Sequence, residues 1–143
     1  LALDSFVLRG GKLLFTEIPA GNYTIGLSKV NIQHTIMGEY YFANPAERLL
    51  KGKRFNDKDF FLWYDKKAGY IQPLLKNVFR ADGWNPLITT GLCNFAGEDP
   101  AGYLAAADHQ YGKGKFIVCE ITLANKIMEN PTAYSLLKQL INE

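Results

Sequence analysis

The sequence predicts a layered α/β domain, and two observations support that prediction. Residues 103–121 are typical of a β-hairpin, because apolar runs flank the segment 111–115, whose two glycines suit a short reversal. The second strand of this hairpin contains residues 116–119, which are apolar on both alternating faces. A strand of this kind is usually covered on both sides, as the strands of α/β domains are.

The chain begins with a helical pattern that leads into a strand. Leu3, Phe6 and Val7 share one helical face, and Gly10-Gly11 follows them, which favours a helix end. Residues 12–18 then predict an apolar strand. A helix that leads into a strand in this way is half of a βαβ repeat. Because the preceding strand is missing, we expect a domain truncated at its N-terminus, a fragment of a larger multidomain polypeptide.

Cap and turn signals divide the rest of the chain. Asn44-Pro45 and Asn130-Pro131 each place an asparagine before a proline, which is typical of a helix start. After the second of these, apolar residues recur at helical spacing almost to the last residue. Short extended pieces are predicted at 32–37, 39–42 and 87–90.

The composition indicates a single globular domain spanning residues 1–143. Hydrophobic residues make up 48% of the chain, charged residues 21%, and the net charge is +2. Acidic residues follow the densest basic run, at 51–54, so the basic stripe that binds nucleic acid is missing and no such partner is expected. No apolar run approaches the roughly 20 residues of a membrane span, so no membrane association is expected either.

The cysteines and histidines do not form a recognisable reactive or metal-binding motif. Cys93 and Cys119 lack a G-x-C-x-G or G-x-S-x-G elbow, and the apolar neighbours of Cys119 favour a core thiol. A bridge between the two cysteines stays open. His34 and His109 are the only histidines, and no CxxC, HxH or HExxH spacing is present, so we expect no metal and no cofactor.

Glu17 and Glu120 are the carboxylates that the strand pattern can bring together. Each lies near the carboxyl end of an apolar strand, and sites in open α/β sheets form at that edge. If the two strands are parallel neighbours, the carboxylates share one crevice and one of them has a raised pKa. The pair is therefore the candidate catalytic pair of a small hydrolase or transferase. The alternative is that both glutamates cap backbone groups or pair with lysine.

Trp63, Tyr64 and Trp84 are the candidate ligand-binding residues. They lie in loop-rich sequence beside Asp, Asn and Lys, and flat aromatic faces with polar neighbours can stack on sugar rings. This interpretation would make the chain a carbohydrate-binding module. The alternative is that the three rings anchor loops to the sheet through their large apolar area.

Several segments occur in an order that resembles a known family. The family is the accessory domain with a class I glutamine amidotransferase-like, flavodoxin-like fold that occurs in bacterial glycoside hydrolases of the family 2 β-galactosidase type. The resemblance covers nearly the whole chain and rests on the helix before Gly10-Gly11-Lys12, Asn44-Pro45 with 49–52, Asp57 to Trp63, 111–117 and Asn130-Pro131.

The resemblance implies a three-layer α/β/α sandwich with a mostly parallel sheet. It also implies a non-catalytic role in packing or oligomerisation, with other domains of the same polypeptide as partners and a periplasmic or extracellular location. In active amidotransferases, a cysteine nucleophile follows the strand that enters the elbow, and a histidine and a glutamate come later. Here the corresponding strand ends Phe15-Thr16-Glu17, and Cys119-Glu120 is not followed by histidine. The resemblance therefore transfers a scaffold and no catalytic residues.

Overall fold

A computed structural model describes residues 2–35, 40–46, 64–65, 70–71, 75–93, 103–124 and 126–142. This part of the chain is mostly β, with two helices and ten strands. In chain order the elements are α1 (Ala2–Leu8), β1 (Lys12–Thr16), β2 (Gly21–Ile25), β3 (Ser28–His34), β4 (Tyr40–Pro45), β5 (Tyr64–Asp65), β6 (Tyr70–Ile71), β7 (Asn77–Arg80), β8 (Asn85–Cys93), β9 (Tyr103–Tyr111), β10 (Gly114–Cys119) and α2 (Pro131–Asn142). Neither helix is long and apolar enough to cross a membrane.

A mixed sheet of eight strands curls into a half-barrel and forms the body of the fold. Strand β1 is parallel to β10, and the other strand pairs within the described ranges are antiparallel. Strand β9 has three partners, β10, β8 and β7, the last through the single pair Phe79–Leu104. Because Leu104 also pairs with Thr89 of β8, β7 lies on the side of β9 that β10 occupies further along. The sheet therefore forks where β10 ends and β7 begins.

The prediction of a flavodoxin-like three-layer α/β/α sandwich with a mostly parallel sheet is wrong. Strand β10 is indeed covered on both faces, but only one cover is a helical layer. Ile117 belongs to a core cluster with Leu136 of α2. Phe116 belongs to a second cluster with Val7 of α1 and Val30 of β3, so the curled sheet itself supplies much of the second cover. Both faces of β10 are thus buried because the sheet curls. A strand covered by the curled sheet has the same apolar pattern as a strand covered by helices on both faces.

The structure confirms the predicted elements at both ends of the chain. Helix α1 leads into β1 through Gly10-Gly11, and β9 and β10 form the predicted hairpin around Gly112-Lys113. Helix α2 begins after Asn130, whose Oδ1 accepts hydrogen bonds from the N–H groups of Thr132 at 2.9 Å and Ala133 at 3.3 Å. This is the asparagine cap that the sequence predicted.

The helix start predicted at Asn44-Pro45 is wrong. These residues end strand β4, where Pro45 lies opposite Ile88 of β8, and Ala46 continues the contact by donating to the Leu87 carbonyl at 2.7 Å. Strand β4 has β8 as its partner within the described residues, so the missing N–H of proline can be tolerated on its other edge. Pairing with β8 thus overrides a local signal that predicted correctly at Asn130-Pro131.

A hairpin that the sequence did not reveal joins β2 to β3. Ile25 lies opposite Ser28, and the two residues of the turn, Gly26 and Leu27, have φ angles of 56° and 63°. Positive φ at both positions is the geometry of a type I′ turn, which matches the twist of the flanking strands. Glycine is needed at position 26 for a second reason, because a Cβ atom there would lie 2.9 Å from the ring of Phe116. The turn therefore packs directly on β10.

Candidate functional site

The parallel pairing of β1 with β10 brings Glu17 and Glu120 side by side. Thr16 lies opposite Cys119, and the N–H of Glu17 donates to the Cys119 carbonyl at 3.1 Å, so the ladder extends one residue past β1. The two glutamates follow at the carboxyl ends of these strands. This is the juxtaposition that the sequence suggested, at the edge where it was expected.

Each glutamate holds the main chain that follows the other. Glu17 Oε2 accepts a hydrogen bond from the N–H of Ala124 at 3.0 Å, and Glu120 Oε1 accepts one from the N–H of Ile18 at 2.9 Å. Glu17 itself has a φ of 50°, in the left-handed region that a residue with a Cβ enters at a cost of roughly 1–2 kcal/mol. The N–H of Glu17 donates to the Cys119 carbonyl, and the N–H of Ile18, the next residue, donates to Glu120. These two hydrogen bonds hold the backbone in that conformation.

Asn77, the first residue of β7, completes the arrangement. Its Nδ2 donates to the carbonyl oxygen of Ile18 at 3.1 Å, so the N–H and C=O of Ile18 are held by two different side chains. Glu120 is 1% exposed and Asn77 9%. Glu120 Oε2 and Asn77 Oδ1 are both buried, and neither has a hydrogen-bond partner within the part of the chain that the structure describes. Asn77 was not among the predicted site residues, and its only signal in the sequence is a polar residue placed directly before the apolar pair 78–79.

The surroundings of Glu120 change its acidity. Burial raises the pKa of its carboxyl group from 4.5 to about 7, and the negative charge of Glu17 acts in the same direction. The Ile18 N–H and the Asn77 carboxamide oppose this rise, because both stabilise the charged form. A carboxyl group of this acidity could in principle exchange a proton near neutral pH. Its burial, however, leaves no surface for a substrate to touch.

The structure does not bring a thiol and an imidazole together within the described residues. Cys119 is fully buried, and burial raises the pKa of its thiol to about 12. His109 stacks on Trp84, and its Nε2 lies 3.2 Å from the carbonyl oxygen of Gly26, while His34 ends β3 with an exposed side chain. Cys93 ends β8, and its side chain lies outside the described part. No group of three or more potential metal ligands occurs in the residues that were searched.

We expect native Cys119 to resist alkylation by iodoacetamide. At pH 8, a thiol with a pKa of about 12 is ionised in roughly one molecule in ten thousand, and the fully buried sulfur is also out of reach. Peptide mass spectrometry after timed labelling would measure this, with urea-unfolded protein as the control in which Cys119 reacts at an ordinary rate. Equal labelling rates in the two states would contradict the placement of this thiol in the core.

The candidate binding aromatics are placed differently from one another. Trp84 is 5% exposed, its Nε1 donates to Ser28 Oγ at 2.9 Å, and its ring stacks on His109 with centroids 5.1 Å apart. It thereby fastens the β2–β3 hairpin to the sheet, and neither face of the ring is open to a sugar. Tyr64 lies in β5 opposite Ile71, with its side chain outside the described part. Trp63 lies wholly outside it.

Comparisons with known proteins find solved structures that are similar to this chain. No family model matches the chain, and no curated protein matches it. It is similar to the cold-adapted β-galactosidase of Rahnella sp. R3, with 16% identity and a TM-score of 0.49 over 98% of this chain and 20% of that one. It is also similar to the β-galactosidase of Bacillus circulans sp. alkalophilus, with 14% identity and a TM-score of 0.47 over 96% and 20%. The chain thus spans about a fifth of the length of these bacterial enzymes.

Proposed function

We propose that this chain is a non-catalytic accessory domain of a larger glycoside hydrolase and acts by packing against other parts of that protein. The main support is how Glu17 and Glu120 are used. A catalytic carboxyl group must come within hydrogen-bond distance of the atom it serves. These two carboxyl groups are instead bonded to the backbone N–H groups of Ala124 and Ile18, and Glu120 is almost completely buried. Their chemistry therefore serves the fold.

The distribution of apolar side chains supports a role in packing. On α1, Val7 is fully buried, but Leu3, Phe6 and Leu8 are 56%, 47% and 44% exposed. Three large exposed apolar residues on a helix of seven are more than scattered surface residues usually give. A domain that packs against a neighbour keeps such surface for that contact.

The association with a glycoside hydrolase rests on the order of sequence segments that resembles accessory domains of such enzymes. A β-galactosidase is the parent that this resemblance implies, and a periplasmic or extracellular location follows from the same resemblance. Both are parts of the proposal, and so is a homo-oligomeric parent.

Activity assays of this chain test the proposal. We expect no hydrolysis of p-nitrophenyl galactoside or glucoside and no release of ammonia from glutamine above a buffer blank, in protein shown to be folded by circular dichroism. Turnover that Glu17→Gln or Glu120→Gln abolishes, while the fold persists, would overturn it. Calorimetric binding of a galactoside that Trp63→Ala abolishes would replace the packing role with that of a carbohydrate-binding module.

A further inference from the structure

Strand β2 lies at one end of the eight-stranded sheet, and β3 is its strand partner within the described residues. We propose that β2 pairs antiparallel with β2 of a second copy of this chain, so that the two sheets join across a two-fold axis at Tyr23. The accessory role proposed above does not specify this surface. The pairing depends only on the geometry of the sheet, so its tests and the activity assays can fail separately.

The hairpin turn decides which backbone groups of β2 face outward. A two-residue turn is closed by a hydrogen-bonded pair, which here is Ile25 and Ser28. Because bonded and non-bonded pairs alternate along an antiparallel ladder, Tyr23 is also bonded to β3. The N–H and C=O groups of Asn22 and Thr24 therefore point away from β3. These four groups have no hydrogen-bond partner in the part of the chain that the structure describes.

The other side of β3 gives the same alternation. The N–H of Thr35, the residue after β3, donates to the Lys76 carbonyl at 2.9 Å, just before β7. Every second residue back along β3 faces β7 as well, and Asn31 is one of them. Val30 therefore faces β2, where it lies opposite Tyr23.

Strand β2 lacks the features that protect sheet edges. Edge strands commonly carry lysine, proline or a bulge, which discourage pairing with another chain. Strand β1, at the other end of the sheet, contains Lys12, and β4, which has β8 as its described partner, contains Pro45. Strand β2 is Gly-Asn-Tyr-Thr-Ile, without charge or proline, and it runs in unbroken register with β3. Two copies of this edge therefore do not repel each other.

The edge of β2 is complementary to itself in one register. Asn22 and Thr24, whose backbone groups face outward, are placed symmetrically about Tyr23. With Tyr23 on the two-fold axis, Asn22 lies opposite Thr24 of the partner subunit, and the two equivalent pairs make four backbone hydrogen bonds. Moving one strand by two residues would leave one of the two outward residues without a strand residue opposite it.

Side chains also match in this register. Asn22 Oδ1 accepts a hydrogen bond from Asn31 Nδ2 at 2.6 Å, which leaves the Asn22 NH₂ group to donate to the hydroxyl of Thr24 of the partner subunit. On the other face of the sheet, the Tyr23 rings of the two copies are neighbours across the axis. Aromatic pairs in this position stabilise antiparallel strands.

The turn residue Leu27 gains a neighbour in the same register. Its side chain is 85% exposed, and its φ of 63° is unfavourable for leucine. Beyond the ends of the strands, the pairing places it beside Pro19 of the partner subunit. Because Pro19 is exposed in a single copy, the contact would cover apolar surface on both chains.

The pairing should be weak in the free chain. Five residues of an edge strand bury less than the roughly 1,200 Å² at which stable interfaces begin, so we expect a dissociation constant between about 1 μM and 1 mM. Sedimentation velocity across this concentration range should show a monomer in exchange with a dimer. A chain that remains monomeric at about 1 mM would overturn the proposal.

Amide hydrogen exchange, followed residue by residue by NMR, locates the contact. The N–H groups of Asn22 and Thr24 should exchange fast in the dilute monomer, and roughly tenfold more slowly when about nine-tenths of the chain is dimeric. The N–H of Tyr23, bonded to β3 in both states, is the internal control. Protection of Asn22 and Thr24 in the monomer would show that another segment of the same chain covers the edge, which would overturn the pairing. Unchanged exchange in a dimer would do the same.

Thr24→Pro removes an outward N–H and leaves the bonds between β2 and β3 in place. Two of the four hydrogen bonds between the copies are lost, so the dissociation constant should rise at least about tenfold. Thr24→Ala is the matched control, because it keeps the N–H and should dimerise within about threefold of the parent chain. A dimer that Thr24→Pro does not weaken would contradict the proposal.

Tyr23→Cys tests the register without depending on the proline variant. Residues opposite each other in a non-hydrogen-bonded pair have Cα atoms about 4.5 Å apart, which a disulfide can span. Mild oxidation should therefore join two copies of the folded variant through the introduced cysteine, as identified by peptide mass spectrometry. Ile25→Cys is the control, because in this register its two copies lie more than about 13 Å apart. Equal linking of the two variants, or no link in Tyr23→Cys, would overturn the proposed register and with it the interface.

Discussion

Gly114→Ala is expected to destabilise the chain by more than about 3 kcal/mol or to prevent folding. Gly114 is the first residue of β10, and a Cβ atom there would overlap the carbonyl oxygens of Gly11 and Val7. Both are backbone atoms, so no change of side-chain rotamer can relieve the overlap. The contact is also where α1 packs on the hairpin, and moving either element would expose the buried side chain of Val7.

Urea unfolding followed by circular dichroism measures this effect, with Gly83→Ala as the matched control. Gly83 has a φ of 78° and nothing within 4 Å of its would-be Cβ, so alanine there incurs only the strain of a left-handed residue, roughly 1–2 kcal/mol. If both variants lost the same free energy of unfolding, the close approach of α1 to β10 would not contribute to stability.

Phe79→Ala is expected to cost about 3–5 kcal/mol. The side chain is fully buried, and truncation would leave a cavity that the curled sheet can fill only in part. Phe79 lies opposite Ile32 of β3 on one side and opposite Leu104 of β9 on the other. Within the described residues, the pair with Leu104 is the one that joins β7 to β9. The same change therefore also weakens the attachment of β7, β3 and β2 to the rest of the sheet.

Arg80→Ala is the neighbouring control for this prediction. Arg80 is exposed, and its guanidinium lies 4.4 Å from the centroid of the Tyr103 ring, so its loss should cost no more than about 1 kcal/mol. Hydrogen exchange adds a local readout, because amides of β3 should lose protection in Phe79→Ala and keep it in Arg80→Ala. A loss of less than about 1.5 kcal/mol in Phe79→Ala would show that the cavity collapses at little cost.

The elements that the sequence predicted correctly are those fixed by local chemistry. Asn130 before Pro131 caps α2, and the glycine turn at 112–113 joins β9 to β10. The fold class could not be obtained in the same way, because residues 116–119 are apolar on both faces whether helices or a curled sheet cover them. The hairpin at Gly26-Leu27 was missed, since leucine at a positive φ is not a turn signal.

For the candidate site, the sequence predicted the pair of glutamates but not the residues that contact them. The sequence placed Glu17 beside Glu120 only on the condition that their strands are parallel neighbours, and the pairing of β1 with β10 meets that condition. Their partners could not be found, because Asn77 lies 59 residues from Ile18 in sequence and meets it only through the fork of the sheet. The polar turn around Trp84 left two alternatives open, a ring that stacks on a sugar and a ring that anchors a loop. Its burial depends on Ser28, which is 56 residues away on a hairpin that the sequence did not show.

The parallel neighbours β1 and β10 have a consequence for how the polypeptide emerges from the ribosome. Ile18 and Glu120, at the ends of these strands, are 102 residues apart, and closing so long a loop costs roughly 4 kcal/mol of chain entropy. The apolar residues 13–15 therefore lack their partner strand until β10 has been synthesised. During that interval they are open to association with other nascent chains, and dependence on a chaperone is the expected result.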